Sequence, residues 1–311
     1  MARLSGTEDT WEHAILDTEE PRGPSDLALA MAELKRRPPA LFGLLVVVLV
    51  LVMAILPGQL APLDPLDQDL TRFMQPPGYV DDTGRTYWFG TDEQGRDVLS
   101  RVIWGSRISL LVGLATVIVS GLIGITIGIV AGYFGGWVDA VLSRIIDTFL
   151  AIPFILLAIS LVAILGPSLQ NIILVIVLRT WIVYARVVRG EVLSLKEGEF
   201  VVGARAMGCK TLRILVVYLF PSVISTSIVI ATLYLGRMII IESALSFLGL
   251  GVPPPTPTWG GILAEGRNFL DTAWWIALFP GLVLMLVVLS VNLLGDWLRD
   301  VLDPRTKRLT D

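Results

Sequence analysis

The stretch "GARAMGCKT" (203–211), set between two long apolar runs, decides what kind of molecule this chain is. It has the outline of a phosphate-binding loop. A P-loop of pattern G-x-x-x-x-G-K-[ST] needs its Lys directly after the second Gly, so that backbone N–H groups and the ammonium converge on the same phosphates. Here Cys209 intervenes and Lys210 falls one place too far. The preceding "EVLSLKEGEF" (191–200) is polar and lacks the apolar β-branched run of the strand that feeds such a loop. The chain is therefore not expected to bind ATP itself, and the stretch has another use.

Composition says which. Hydrophobic residues make up 54% of the 311 and charged residues 17%, with a mean hydropathy of +0.73, a balance outside the range of soluble domains. The formal charge of -4 gives no basic footprint, so no nucleic-acid partner is expected. One His (His13) and one Cys (Cys209) exclude Cys/His metal clusters, His-based triads and intrachain disulfides. Neither a catalytic site nor a metal site is expected.

Helical crossing of a bilayer takes about 20 apolar residues. Six such windows are read, at 40–57, 108–133, 138–165, 169–188, 222–249 and 273–296. The first follows nearly forty polar residues and precedes "LPGQLAPLDPLD" (56–67), a poor cleavage site, so it is read as a retained anchor rather than a signal peptide. Lys and Arg collect before the first window (Lys35, Arg36, Arg37), between the fourth and fifth (Arg189, Lys196, Arg205, Lys210, Arg213) and after the last (Arg299, Arg305, Lys307, Arg308). By the positive-inside rule these segments and both termini are cytoplasmic. The loop at 58–107 has five Arg but also eight acids and is placed outside, which leaves Cys209 in a reducing compartment. The chain divides into a polar cytoplasmic tail (1–34), an anchor span with its external loop (35–107), a helical bundle (108–297) and a charged cytoplasmic end (298–311).

The loop between the fourth and fifth windows, at about 189–221, contains "EGEFVVGARAMGCKTLRILVVYLFPS" (197–222). Ala204, Met207, Leu212 and Leu215 are spaced to form one apolar helical face beside Arg205, Lys210 and Arg213. The stretch resembles the cytoplasmic E-A-A-x-x-x-G-x₉-I-x-L-P loop of ABC importer permeases. Aligned on Gly208 and Pro221, Ala204 takes the second Ala, while Val202, Gly203, Tyr218 and Phe220 replace the Glu, first Ala, Ile and Leu. The spacing is kept and the acidic side chain is lost. Three more stretches, "FGTDEQGRDVLSRVIWGSRISLLVG" (89–113), "DTFLAIPFILLAISLVAILGPS" (147–168) and "ALSFLGLGVPPPTPTWGGIL" (244–263), resemble permeases of the dipeptide, oligopeptide, nickel and glutathione group.

The resemblance implies an all-α integral membrane fold of about six transmembrane helices, the type I ABC importer transmembrane domain. It implies an importer of di- or oligopeptides working by alternating access in a prokaryotic inner membrane, with nickel, glutathione or another small solute as the alternative cargo. Its implied partners are a sister permease, two ATPase subunits that hold ATP and Mg, an extracytoplasmic substrate-binding protein and membrane lipid. Val202, Gly203, Ala204, Arg205, Met207, Gly208 and Pro221 then form the ATPase-coupling loop: a short helix, a turn at Gly208 and a second helix, with Pro221 marking where the loop ends and a new helix begins. The bland alternative is a solvated interfacial loop with an incidental Gly. A self-sufficient secondary transporter would show an inverted repeat with midplane acids and a channel a symmetric pore loop; the sequence has neither.

Gly124, Gly128, Gly132 and Gly136 recur every four residues and line one helix face for close packing, against either the sister permease or another helix of this chain. Pro153 and Pro280 fall inside windows and are read as kinks. Arg144, Asp147, Arg179, Arg237 and Glu242 lie inside apolar windows, where a charge costs on the order of 3 kcal/mol unless it faces protein or water. Arg144 and Asp147 are spaced to pair on one helix face. Arg179, Arg237 and Glu242 are the candidate pathway residues, with hidden structural partners as the alternative. "TYWFG" (86–90) is either an interfacial aromatic belt or part of a docking surface for the binding protein.

Overall fold

The computed structural model describes residues 34–302, so the N-terminal tail and the residues from Asp303 onward lie outside the described residues. Helix α1 (Pro38–Ile55) starts on a proline, whose missing N–H costs nothing in a first turn, and a short α2 (Pro57–Leu60) follows. A segment with one two-residue hairpin, β1 (Tyr79–Val80) against β2 (Thr86–Tyr87), leads into α3 (Val98–Phe134). Then come α4 (Gly136–Ala151), α5 (Phe154–Leu165), α6 (Leu169–Leu195) and α7 (Glu199–Ala206). Helix α8 runs over Thr211–Phe247 with a π-helical stretch at Ile214–Leu219. The last two are α9 (Trp259–Gly266) and α10 (Trp275–Leu302).

Five of these helices, α1, α3, α6, α8 and α10, are long and apolar enough to cross a membrane. The third expected window is instead two helices, α4 and α5, meeting at 86° around Ile152 and Pro153. Pro153 has no N–H to continue α4 and holds the preceding Ile152 in extended backbone (ψ 122°), so the kink becomes a break. Counted as one span, the pair makes six. Helix α10 continues through Pro280.

Helix α3 begins ten residues before the expected 108. Its 37 residues cover about 55 Å, well beyond a bilayer's apolar core of about 30 Å. Asp97 caps the first turn, accepting from the Ser100 backbone N–H at 2.8 Å and from Ser100 Oγ at 2.6 Å. The charges of Arg101 and Arg107 hid this start from hydropathy.

The bundle is organised around α3. A Cβ on Gly124 would lie 2.4 Å from the Trp181 carbonyl oxygen and 2.5 Å from Tyr184 Cβ; on Gly128, 2.8 Å from Val188 Cβ; on Gly132, 2.8 Å from Val192 Cβ. The glycine face therefore seats α6 of this same chain. Gly136 does not belong to that face: it meets no atom within 4 Å and, with Gly135, forms the turn into α4 at φ +52° and +65°. Helix α8 packs on α3, α6 and α10, and α1 on α10 and α3. Leu45, Leu122 and Ile164 are among many exposed large apolar residues on these helices, a surface suited to lipid or to further subunits.

Candidate functional site

The connection between α6 and α8 holds the candidate coupling loop. Helix α6 carries its polar end to Leu195 before breaking, so the loop proper is 196–210, shorter than the expected 189–221. Helix α7 ends at Ala206, and Gly208 takes φ +74°, the left-handed conformation favoured by glycine at a helix C-terminus. The Gly208 and Cys209 N–H groups bond back to the Arg205 and Ala204 carbonyls at 2.9 and 3.0 Å. A helix, a turn at Gly208 and a second helix follow in the expected order. Pro221 does not begin a new helix, however, but lies inside the one that follows the turn. Helix α8 starts at Thr211, and the wider π-helical stretch just before Pro221 accommodates the lost N–H and the ring.

The inner face of the loop is fixed. Val201 and Ala204 are buried with Ile214, Leu219 and Val223 against Ile125, Ile129, Tyr184, Val188 and Val192. The Arg205 guanidinium lies 5.0 Å over the Tyr133 ring, and Lys196 Nζ donates to the Gly132 carbonyl at 3.1 Å, so both cations clamp the loop to the end of α3. Arg189 pairs with Asp139 (Nη2 to Oδ2, 2.6 Å), tying α6 to α4. The outer face is free: Met207 is 76% and Leu212 71% exposed, with Val202 also exposed. The single apolar face expected from Ala204, Met207, Leu212 and Leu215 is thus split by the Gly208 turn, Ala204 pointing in while Met207 and Leu212 form an apolar tip. Gly203 meets no atom within 4 Å and permits no close approach within this chain.

At the opposite end lies a charge network that sequence reading missed. Asp92, wholly buried, accepts from Arg96 Nε at 2.7 Å and from Arg101 Nη1. Glu265 accepts from Arg96 Nη2 at 3.1 Å and from Arg101 Nη1 at 2.6 Å. Carboxylate oxygens of Asp92, Glu93 and Glu265 come within 4.8 Å of one another, close enough to share a cation, but Arg96 and Arg101 already supply the positive charge there. The i,i+4 spacing of Asp92 and Arg96 and the i,i+3 spacing of Glu93 and Arg96 were the local signals; Glu265 is contributed by α9. Burial pushes the Glu93 and Asp97 carboxyls up. Hydrogen bonds from Thr71 and Arg72 hold Asp69 down at about 2. The network fastens the 56–97 segment to the bundle, helped by Trp275 Nε1 donating to the Thr91 carbonyl at 3.0 Å. Of "TYWFG", Tyr87 is buried, Phe89 stacks on Phe279 with centroids 3.9 Å apart, and Trp88 remains exposed.

The candidate pathway residues separate. Glu242 is fully buried, accepting from Ser246 Oγ at 2.8 Å and from Ser109 and Ser243 Oγ at 3.4 Å, so in this structure it reaches no open surface. It binds α8 to α3. Arg237 is exposed and lies 5.4 Å over its own helix's Tyr234 ring. Arg179 is half-buried, and its Nη1 has no hydrogen-bond partner among the described residues. Thr180 Oγ1 lies 3.2 Å from Met238 Sδ, which puts the preceding residues, Arg179 and Arg237, at one level of the bundle. Arg144 and Asp147 are both exposed and form no ion pair with each other, contrary to their spacing.

The chain is similar to known proteins over most of its length. Residues 124–308 match the family model described as binding-protein-dependent transport system inner membrane component, and residues 25–77 match the N-terminal TM domain of oligopeptide transport permease C. The dipeptide transport system permease protein DppC of Alkalihalophilus pseudofirmus is 42% identical over 95% of this chain and 99% of its own length. A di/tripeptide transport system permease of Pseudomonas aeruginosa is 41% identical over 86% of this chain and 88% of its own. The glutathione transport system permease protein GsiD of Pectobacterium atrosepticum is 43% identical over 71% and 73%. Among solved structures, a chain of the MetNI methionine ABC transporter superposes with a TM-score of 0.53 at 21% identity, over 66% of this chain and 96% of that one, which establishes a shared fold. A continuous match from the last third of α3 to α10, together with relatives near 40% identity along most of the chain, places this protein in the family of binding-protein-dependent transport system inner membrane components, as a multi-pass permease subunit rather than an enzyme.

Proposed function

We propose that this chain is one of two permease subunits of an ATP-driven importer of di- or oligopeptides. The observation that carries the reading is the coupling loop: a short helix clamped on its inner face by Arg205 and Lys196, with an exposed apolar tip at Met207 and Leu212. Such a tip is a ready knob for a cleft on a separate ATPase, since exposed apolar residues beside a rigid turn mark contact surfaces. Peptide is favoured as cargo because the relatives matching most of the chain are named for dipeptide or di/tripeptide transport.

In this reading both termini and the coupling loop are cytoplasmic, and the hairpin segment faces outward to a substrate-binding protein. ATP and Mg are held by two ATPase subunits. Their closure draws the coupling loops of this chain and its sister permease together and opens the bundle outward; hydrolysis reverses the motion. Arg179 and Arg237, level with each other, face the pathway, and Glu242 holds α8 to α3 rather than lining it. The reading is tested in proteoliposomes holding both permeases, the ATPases and the binding protein. Gly208→Trp places a large side chain at the turn without touching a span and is expected to abolish uptake of labelled dipeptide while the chain stays in the membrane. Unchanged uptake with the ATPase still co-purifying contradicts the coupling assignment.

A further inference from the structure

Helices α8 and α10 run antiparallel. A Cβ on Gly236 would lie 3.5 Å from Val288 Cγ1 and from Asn292 Oδ1, and one on Gly295 would lie 3.0 Å from Leu233 Cδ2. Moving ten residues from that level toward the hairpin end reaches Phe247 on α8 and Leu278 on α10, about 15 Å away at 1.5 Å per residue. Between them opens a groove of about 640 Å³ whose walls include Phe247, Leu263, Leu278, Leu282 and Met285. Its lining is apolar apart from Arg267, which sits just beyond α9. The Arg267 guanidinium lies 4.9 Å over the Phe247 ring, is exposed, and forms no ion pair among the described residues. Ile240, Ala244 and Leu248 continue the exposed stripe of α8 that begins at Arg237, and Phe247 borders it. The groove therefore flanks the face that carries Arg237, with one guanidinium at its outer end and one below its inner end.

We propose that this groove is an outer substrate subsite, where Arg267 receives the C-terminal carboxylate of a peptide and the apolar walls receive its side chain before passage to Arg237. Three features commit the groove to this occupant. A planar guanidinium held on an aromatic face is unpaired and matches a carboxylate fork. The walls offer nothing polar to satisfy a backbone beyond it, so they suit an apolar side chain. Arg237 and Phe247, whose ring carries Arg267, are ten residues or about 15 Å apart along α8, about twice the roughly 7 Å that an extended dipeptide spans, so the two guanidinium groups serve as separate stations. Two weak stations in series avoid the trap that a single tight site would make.

The proposal rests on the importer reading and on α8's exposed stripe lining the path. Uptake of labelled Ala-Phe and Gly-Gly is measured in proteoliposomes holding the complete complex, with the same binding protein throughout so that its own selection cancels between variants. Arg267→Gln is expected to slow both peptides about tenfold, the scale of one lost charge-assisted contact, and Arg267→Lys to recover part of the rate. Leu278→Trp, which fills the groove from an exposed position, is expected to slow Ala-Phe about tenfold and to leave Gly-Gly within about twofold. Equal rates in wild type, Arg267→Gln and Leu278→Trp overturn the subsite while leaving the importer reading intact. Loss of the sister permease from the purified complex shows a subunit contact and overturns it. A co-purifying phospholipid lost in Arg267→Gln, with peptide selectivity unchanged, shows a lipid slot and also overturns it. Wild-type complex that imports neither peptide defeats the importer reading itself, and the subsite with it.

Discussion

Replacing Gly124 by Ala inserts a methyl group 2.4 Å from the Trp181 carbonyl oxygen, 2.5 Å from Tyr184 Cβ and 3.0 Å from the Ala185 nitrogen. Two of these neighbours are backbone and the third is a Cβ, so none can rotate away. Bringing the nearest contact from 2.4 Å to 3.0 Å requires α3 and α6 to part by at least about 0.6 Å along a seam that also holds Gly128 and Gly132. A gap of that size forfeits a quarter to a half of the dispersion at affected contacts, here among Ile125, Ile129, Val188 and Val192. Overpacking of this kind costs about 1–3 kcal/mol, and Ala regains about 1 kcal/mol of helix propensity over Gly. With only immovable neighbours the cost falls at the upper end, so a net loss of about 2 kcal/mol is expected. Gly203→Ala is the control: it sits in α7 with no atom within 4 Å, so only the propensity gain applies. Denaturant unfolding of the purified chain in detergent micelles, followed by Trp fluorescence, compares the two. A Gly124→Ala midpoint equal to or above that of Gly203→Ala refutes the close α3–α6 seam.

The charge network predicts that Asp92→Ala, which strips a fully buried partner from Arg96 and Arg101, lowers stability by about 3–5 kcal/mol in the same assay; an unchanged midpoint contradicts it. Asp69 is held at about 2 by hydrogen bonds from Thr71 and Arg72. A lowered folded value stabilises above the unfolded value of 3.8 and is lost as pH falls through about 2. The stability difference between wild type and Asp69→Asn is therefore expected to be constant above about pH 5 and to shrink between about pH 4 and 2; a difference flat across that window contradicts the assignment. Arg237→Ala is expected to slow peptide uptake while complex assembly and basal ATP hydrolysis persist, both read on one reconstituted preparation; collapse of assembly with uptake makes Arg237 structural.

Much of the architecture was legible because the information is local. Apolar runs of about 20 residues give spans wherever a bilayer is the solvent, and five of the six windows correspond to single long helices. The helix, Gly turn and helix between α6 and α8 follow from Gly208 and its spacing. The errors have equally physical causes. The start of α3 was hidden because Arg101 reads as a polar residue until its carboxylate partners are in place. The loop boundaries were drawn where hydropathy falls, yet α6 and α8 both continue as helix past that point, since backbone hydrogen bonding does not stop at an apolar boundary.

The sequence by itself determined a membrane-spanning helical protein with a glycine-turned loop between two spans, because hydropathy and glycine spacing are properties of neighbouring residues. Tertiary structure alone decided which surface each of those features meets. The glycine face was compatible with two partners until α6 was found 2.4 Å from where Gly124 would carry a Cβ. Glu242 and Arg237 were equal candidates five residues apart, and only packing separated them: three serines enclose the carboxylate, two of them from its own helix and Ser109 from α3, while the guanidinium stays on the open stripe of α8. Arg101 and Glu265 are 164 residues apart in sequence. A pair so distant has no signature in either segment, since each charge is costly alone and becomes stable only when folding brings the other within hydrogen-bonding distance.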